Sequence, residues 1–241
     1  MRKLVVLPIV FLFVSFHVIA QEREIIPLNE HFYPLALGFG EHTYNDVKTM
    51  PSEGEILEKI YTLDYLLVQN RKTTLRDNDV ERIQISKYGP VGDLISIEIT
   101  EFEEGLTYTQ VHNGSRVVLE LACAGTVCEG EFNGSFVDRN VFKPSLRSMD
   151  SWGRFIQREL TYPVVARRVG AQGTVLLGLK VSANGSLLEK VVMNPNEVHK
   201  SLAKEALRVI DLYEDGFVYA VDLQDYPIDA WLFLPVRFVL G

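Results

Sequence analysis

The chain has 241 residues, 47% of them hydrophobic and 23% charged, an ordinary globular balance with enough length for one large or two small domains. A formal net charge of -8 with no Lys/Arg cluster argues against nucleic acid or an anionic membrane surface as a partner.

Arg2 and Lys3 precede an apolar run from Leu4 to Ala20, and Val18-Ile19-Ala20 before Gln21 makes a small-residue cleavage site. Residues 1–20 therefore read as a secretory signal peptide. The alternative is an uncleaved anchor. At roughly 1.5 Å of rise per residue the run spans about 25 Å, short of the ~30 Å hydrocarbon layer.

Residues 21–59 read as an irregular lead-in, because Pro27, Pro34, Gly38, Gly40, Pro51 and Gly54 break any period. Residues 60–146 change character. Ile95, Ile97 and Ile99 alternate with Ser96, Glu98 and Thr100, and Val117, Leu119 and Leu121 repeat the pattern. Asn113-Gly114 and Asn133-Gly134 are hairpin signals, since a two-residue turn of that type needs positive φ at both centres. The expectation is a small antiparallel β-rich domain of consecutive hairpins, with no constellation of residues that implies chemistry.

Cys123 and Cys128 flank a glycine-containing loop between two strand-like segments, which sets the sulfurs opposite each other. They read as a disulfide formed in an oxidising compartment, with two buried thiols as the alternative. No His or second Cys pair lies nearby to complete a metal site.

Lys143 to Ser148 reads as the linker, and residues 147–241 form the C-terminal domain. Trp152, Phe155, Ile156 and Leu160 fall on one helical face, with Asp150 or Ser151 as N-cap. Pro163 suits the first position of a second short helix, which stops at Gly170. Gly173 opens a strand with Val175, Leu177, Leu179 and Val181 on one face, and Asn184-Gly185 turns it into a second strand over 187–193. Asn196 is the predicted cap of a helix bearing Val198, Leu202, Ala206, Val209 and Ile210. A loop over 213–229 leads to a last strand from Trp231 to Leu240. Helix, β-hairpin, helix, strand is an α+β arrangement.

The segment Phe155 to Arg167 resembles the opening of TonB C-terminal domains, which carry Tyr-Pro-x-x-Ala, then a glycine, then Gly-x-Val at the first strand. Tyr162, Pro163 and Ala166, then Gly170, then Gly173 and Val175 fill that signature here. The Asn184-Gly185 turn, Glu205 to Val209 and Pro235 to Leu240 follow in family order. Two features depart from the pattern. Leu212 to Phe217 stands where family members often carry a Pro-x-Trp-x-Pro-like stretch, and Lys190 sits at a usually apolar position, which predicts a register slip or bulge.

The resemblance implies a periplasmic, non-enzymatic protein without cofactor. It would bind an extended segment of an outer-membrane receptor, or another envelope protein, by β-strand addition, in association with transport across the outer membrane. An energy transducer held at the inner membrane is the alternative. Against it, the 10 prolines form no spacer, and Ser15 and His17 lie two apart rather than one helical turn apart. An enzyme with an unrecognised site in the first domain is the third reading.

Pro235 lacks an N–H, which points the last strand to a sheet edge or a bulge. The candidate partner-binding residues are Trp231, Leu232, Phe233, Leu234, Val236, Arg237 and Phe238, with Trp231, Phe233 and Arg237 supplying side-chain contacts. The competing expectation is that this outer face packs on the first domain, or on a second copy to form a homodimer. None of His17, His31, His42, His112 and His199 has a second ligand at metal spacing.

Overall fold

The computed structural model describes residues 23–240. The signal peptide expected at residues 1–20, with Ser15 and His17, lies outside the described residues.

The first half is one meander of ten strands: β1 (Glu24–Leu28), β2 (Tyr44–Ser52), β3 (Glu55–Thr62), β4 (Leu67–Arg76), β5 (Asp79–Tyr88), β6 (Leu94–Glu101), β7 (Leu106–Asn113), β8 (Arg116–Ala124), β9 (Val127–Phe132) and β10 (Ser135–Val137). They pair antiparallel in sequence order, with β1 and β10 at the two ends. The expected alternation and hairpins are present, but the sheet is larger than expected. Within residues 23–59 the long break in the sheet is 29–43, because β1, β2 and most of β3 join it. Pro27 is accommodated because β1 is an end strand, and Gly54, at φ 77°, serves the β2–β3 turn.

Turn chemistry sets the registers. Asn133 and Gly134 both take positive φ, 48° and 82°, between the paired Phe132 and Ser135. At Asn113-Gly114 the turn is shifted by one: Asn113 pairs with Arg116, so Gly114 and Ser115 are the centres, and Gly114 takes the positive φ. Cys123 pairs with Cys128 across β8 and β9, and their sulfurs are bonded at 2.07 Å.

The C-terminal fold begins at β11 (Ser145–Leu146), inside the stretch expected as linker, because Leu146 is buried in the C-terminal core. Helix α1 (Met149–Glu159) is capped by Ser148, whose hydroxyl accepts the Ser151 N–H at 3.2 Å, rather than by Asp150 or Ser151. Trp152 and Phe155 enter the core, as the helical spacing predicts. Pro163, with extended ψ, is the N-cap of α2 (Val164–Arg168) rather than its first residue. Gly170 at φ 66° ends α2: its N–H donates to Arg167 O and that of Ala171 to Ala166 O, the paired bonds of a Schellman stop.

Strand β12 (Gly173–Val181) buries Val175, Leu177, Leu179 and Val181 completely. It is flanked by β13 (Leu187–Val192); a register shift falls between Lys180 and Val181, opposite Leu188, whereas Lys190 itself pairs in register with Leu179. The Lys190 ammonium pairs with Asp211 and reaches Leu207 O, which explains a lysine there. Helix α3 (Lys200–Asp211) is capped by His199, whose Nδ1 accepts the Ser201 N–H at 3.2 Å. Asn196, the expected cap, makes a contact to the first half instead. The expected loop 213–229 contains β14 (Phe217–Val218), β15 (Ala220–Val221) and β16 (Pro227–Ile228) before β17 (Ala230–Phe238).

Among the described residues the halves meet around β15 and around residues 29–39. Val221 of β15 is buried among Val111, Leu119, Leu121 and Phe132 of the meander, and its N–H donates to Val141 O at 2.9 Å. The irregular residues 29–39 reach the other way. The Asn196 N–H donates to Leu37 O and its Nδ2 to Ala36 O, both at 3.1 Å. A Cβ on Gly38, at φ 93°, would lie 2.5 Å from Asn196 Cγ, so this crossing needs glycine.

Beneath Phe32 and Pro34 a cleft of about 260 Å³ is lined by Asp46, Glu58 and Arg71 of three adjacent strands. Asp46 Oδ1 is buried without a partner. Burial first, then the Glu58 charge, pushes the Asp46 carboxyl from 3.8 up to about 6. The folded protein therefore holds a proton that the unfolded chain releases, and stability falls as pH rises from about 4 through about 6. Asp46→Asn removes this penalty. Discounted for solvent screening to about 1 kcal/mol, the gain raises the melting midpoint by about 2–4 °C at pH 7.5 and vanishes below pH 4, as read by calorimetry across that range. The disulfide gives a second measurement. Closing so short a loop contributes about 2 kcal/mol by chain entropy, so Cys123→Ser with Cys128→Ser lowers the urea-unfolding free energy by that amount.

Candidate functional site

The three-stranded sheet has the order β13-β12-β17, so β17 is hydrogen-bonded on one side only. Which of its backbone groups are unused follows from β12. The Leu176 N–H donates to Asn194 Oδ1 at 2.9 Å, Leu176 O accepts from Met193 N–H at 2.8 Å, and Thr174 O accepts from Asn194 Nδ2 at 3.0 Å. Thr174 and Leu176 thus point their main-chain groups towards β13. By alternation, Val175, Leu177, Leu179 and Val181 bond to β17 through Val236, Leu234, Leu232 and Ala230.

The residues between them, Trp231, Phe233, Pro235 and Arg237, turn their backbone to the open side. Trp231, Phe233 and Arg237 each present an N–H and a C=O, and Pro235 a C=O alone. The proline stands where no ladder bond within the domain requires an N–H.

Side chains sort the same way. Leu234, Val236 and Phe238 are buried and Leu232 is partly buried, all against the helices, so these four predicted site residues belong to the core and offer a partner no side-chain contact. Trp231, Phe233 and Arg237 lie on the outer face. Residues 29–39 cover part of that face. The His31 ring centroid is 4.9 Å from that of Trp231 and 5.4 Å from that of Phe233, and Tyr33 is 5.3 Å from Phe233. Burial raises the Tyr33 hydroxyl above its ordinary pKa. Trp231 and Phe233 remain half-buried, while Pro235 and Arg237 are exposed.

This loop is pre-formed. Asn29 is completely buried, its Oδ1 accepts the N–H groups of His31 at 2.9 Å and Tyr33 at 3.0 Å, and its Nδ2 donates to Phe39 O at 2.9 Å. The sequence signal was an Asn ahead of a Pro- and Gly-punctuated stretch, but nothing local says where such a loop will dock.

The signature residues are structural. The Tyr162 ring packs edge-on to Phe238 at 5.8 Å and its hydroxyl donates to Ala171 O. Ala166 and Val175 are fully buried, and Gly170 and Gly173 take positive φ. The Glu205 carboxyl is held below its ordinary pKa by the Arg208 guanidinium and also accepts the Thr161 N–H at 2.8 Å, which ties α3 to the end of α1.

Among the described residues, no group of His, Cys, Asp and Glu could hold a metal ion, and no helix is long and apolar enough to cross a membrane. Neither a curated protein nor a solved structure matched the chain. The family model described as Gram-negative bacterial TonB protein C-terminal matches residues 158–240, and it takes in α2, the three-stranded sheet, α3 and the free edge. The match is confined to the C-terminal third of the chain, which is similar to the TonB C-terminal domain family.

Proposed function

We propose that this is a periplasmic, TonB-like envelope protein that captures an extended segment of an outer-membrane receptor, or of another envelope protein, as a fourth strand beside β17, in the service of transport across the outer membrane. The observation that carries the reading is the one-sided ladder of β17, with three donors and four acceptors facing outwards. The match of residues 158–240 to the TonB C-terminal domain family supports it, and the Cys123–Cys128 disulfide fits an oxidising compartment.

Magnitudes make the grip weak and dependent on side chains. At about 1 kcal/mol net per bond, the edge supplies on the order of 7 kcal/mol against an association cost of at least ~4 kcal/mol. Backbone pairing alone is therefore millimolar or weaker. Trp231, Phe233 and Arg237 are the side chains placed to raise it.

Titrating the full chain with extended peptides copied from envelope receptors tests the reading. The amides of Trp231, Phe233 and Arg237 shift, while those of Leu232, Leu234 and Val236 stay bonded to β12 and move less. Arg237→Pro removes one outward donor without touching the ladder to β12 and weakens binding about tenfold, whereas Arg237→Ala has the smaller effect of losing one side chain. Peptides that bind without shifting those three amides would place the contact elsewhere and overturn strand addition.

A further inference from the structure

A strand added beside β17 places its residues in register with Trp231, Phe233, Pro235 and Arg237, and those that share the outer face recur at every second position. The surroundings of that face differ sharply along its length. At one end stand Trp231 and Phe233, bordered on the inner side by β12 and overlaid by His31 and Tyr33. Both rings remain half-buried, so part of each stays uncovered beside the edge strand. The loop that forms this wall is fixed by Asn29 at one end and by Asn196 at the other, so it belongs to the resting structure and does not need a partner to fold it.

Four residues further on, the exposed Arg237 shares the outer face, and among the described residues no carboxylate pairs with it. Pro235, between the two, offers only a carbonyl and a small exposed ring. The strip beside the edge is thus apolar and aromatic at one end and cationic at the other, with a separation of four residues.

We infer that the captured segment carries a large apolar or aromatic residue and an acidic residue four positions apart, and that residues 29–39 of the first half build the subsite for the apolar one. This rests on the strand-addition reading and deepens it. The partner's large side chain packs against Phe233 and Tyr33, and its carboxylate meets the Arg237 guanidinium. The first half then has a role at the site, because the C-terminal fold alone leaves Trp231 and Phe233 without their wall.

The test uses the full chain and decapeptides of alternating Thr and Gln that carry one Phe and one Glu. In one set the two are four positions apart, in both orders; in the other they are three apart, on opposite faces. Affinity is read by calorimetry and the site of binding by amide shifts. The four-apart peptide in one order binds about tenfold tighter than the three-apart peptides. Arg237→Ala erases the advantage of Glu over Gln, and Tyr33→Ala reduces the advantage of Phe over Thr. Should Tyr33→Ala fail to fold, the spacing comparison on the unaltered chain decides. Peptides that all shift the amides of Trp231, Phe233 and Arg237 with equal affinity would leave strand addition standing and overturn the subsite. Peptides that shift none of them would remove strand addition and the subsite together.

Discussion

The structure of the C-terminal half turns on one asymmetry: β12 has a hydrogen-bonded neighbour on each side and β17 has only one. The central strand commits alternate residues to opposite neighbours, so half of the β17 backbone is spoken for and half is not. Because side chains alternate with the same period, the unused backbone groups belong to the residues whose side chains leave the core. Leu234, Val236 and Phe238 are doubly committed, by burial and by ladder bonds, while Trp231, Phe233 and Arg237 are doubly available. Proline is tolerated at position 235 for that reason. The same substitution one residue along, at 234 or 236, would delete a bond that holds the sheet together.

An open edge is a hazard as well as a site, since a flat apolar strand with free backbone groups invites pairing with any other chain. Two features here limit that. Pro235 removes a donor from the middle of the edge, and the aromatic end of the strip is overlaid by His31 and Tyr33. The two halves of the chain exchange elements to achieve this. The first half sends residues 29–39 across the outer face of the C-terminal sheet, and the C-terminal half sends Val221 into the core of the meander. The hairpin of β15 and β16 that carries Val221 occupies the place where the family signature fades in the sequence, after Leu212.

What could be read from residues alone divides along physical lines. Regular elements with a single buried face were legible: the alternation of Val175 to Val181 and the helical spacing of Trp152 and Phe155 each point to one core and find it. The edge position of the last strand was legible through Pro235, because a missing donor has a local meaning. Caps were less so. Asp150, Ser151 and Ser148 at α1, and Asn196 and His199 at α3, are all competent to cap, and the choice at each helix depends on where the chain enters from, which local sequence does not encode. Asn196 is drawn away by Ala36 and Leu37, residues some 160 positions distant in the chain. The lead-in differs from its sequence pattern for a related reason. Prolines and glycines mark breaks, but an end strand and a turn accept them, so β1 and β2 could form through Pro27 and beside Gly54. Likewise the meeting of Asp46, Glu58 and Arg71 depends on the registers of three strands, which no local spacing reveals.

The covered outer face bears on how strongly a partner can be held. Had Trp231 and Phe233 been bare, capture of a strand would have to be accompanied by the ordering of whatever came to cover them, and each immobilised side chain subtracts from affinity. With Asn29 fixing the loop, and with β17 already paired with β12, the outer face is organised in the free protein. The entropy lost on binding then falls almost wholly on the incoming segment. An extended, proline-stiffened segment would lose less of it than a flexible one. Weak backbone pairing made selective by two side-chain positions is also readily reversed.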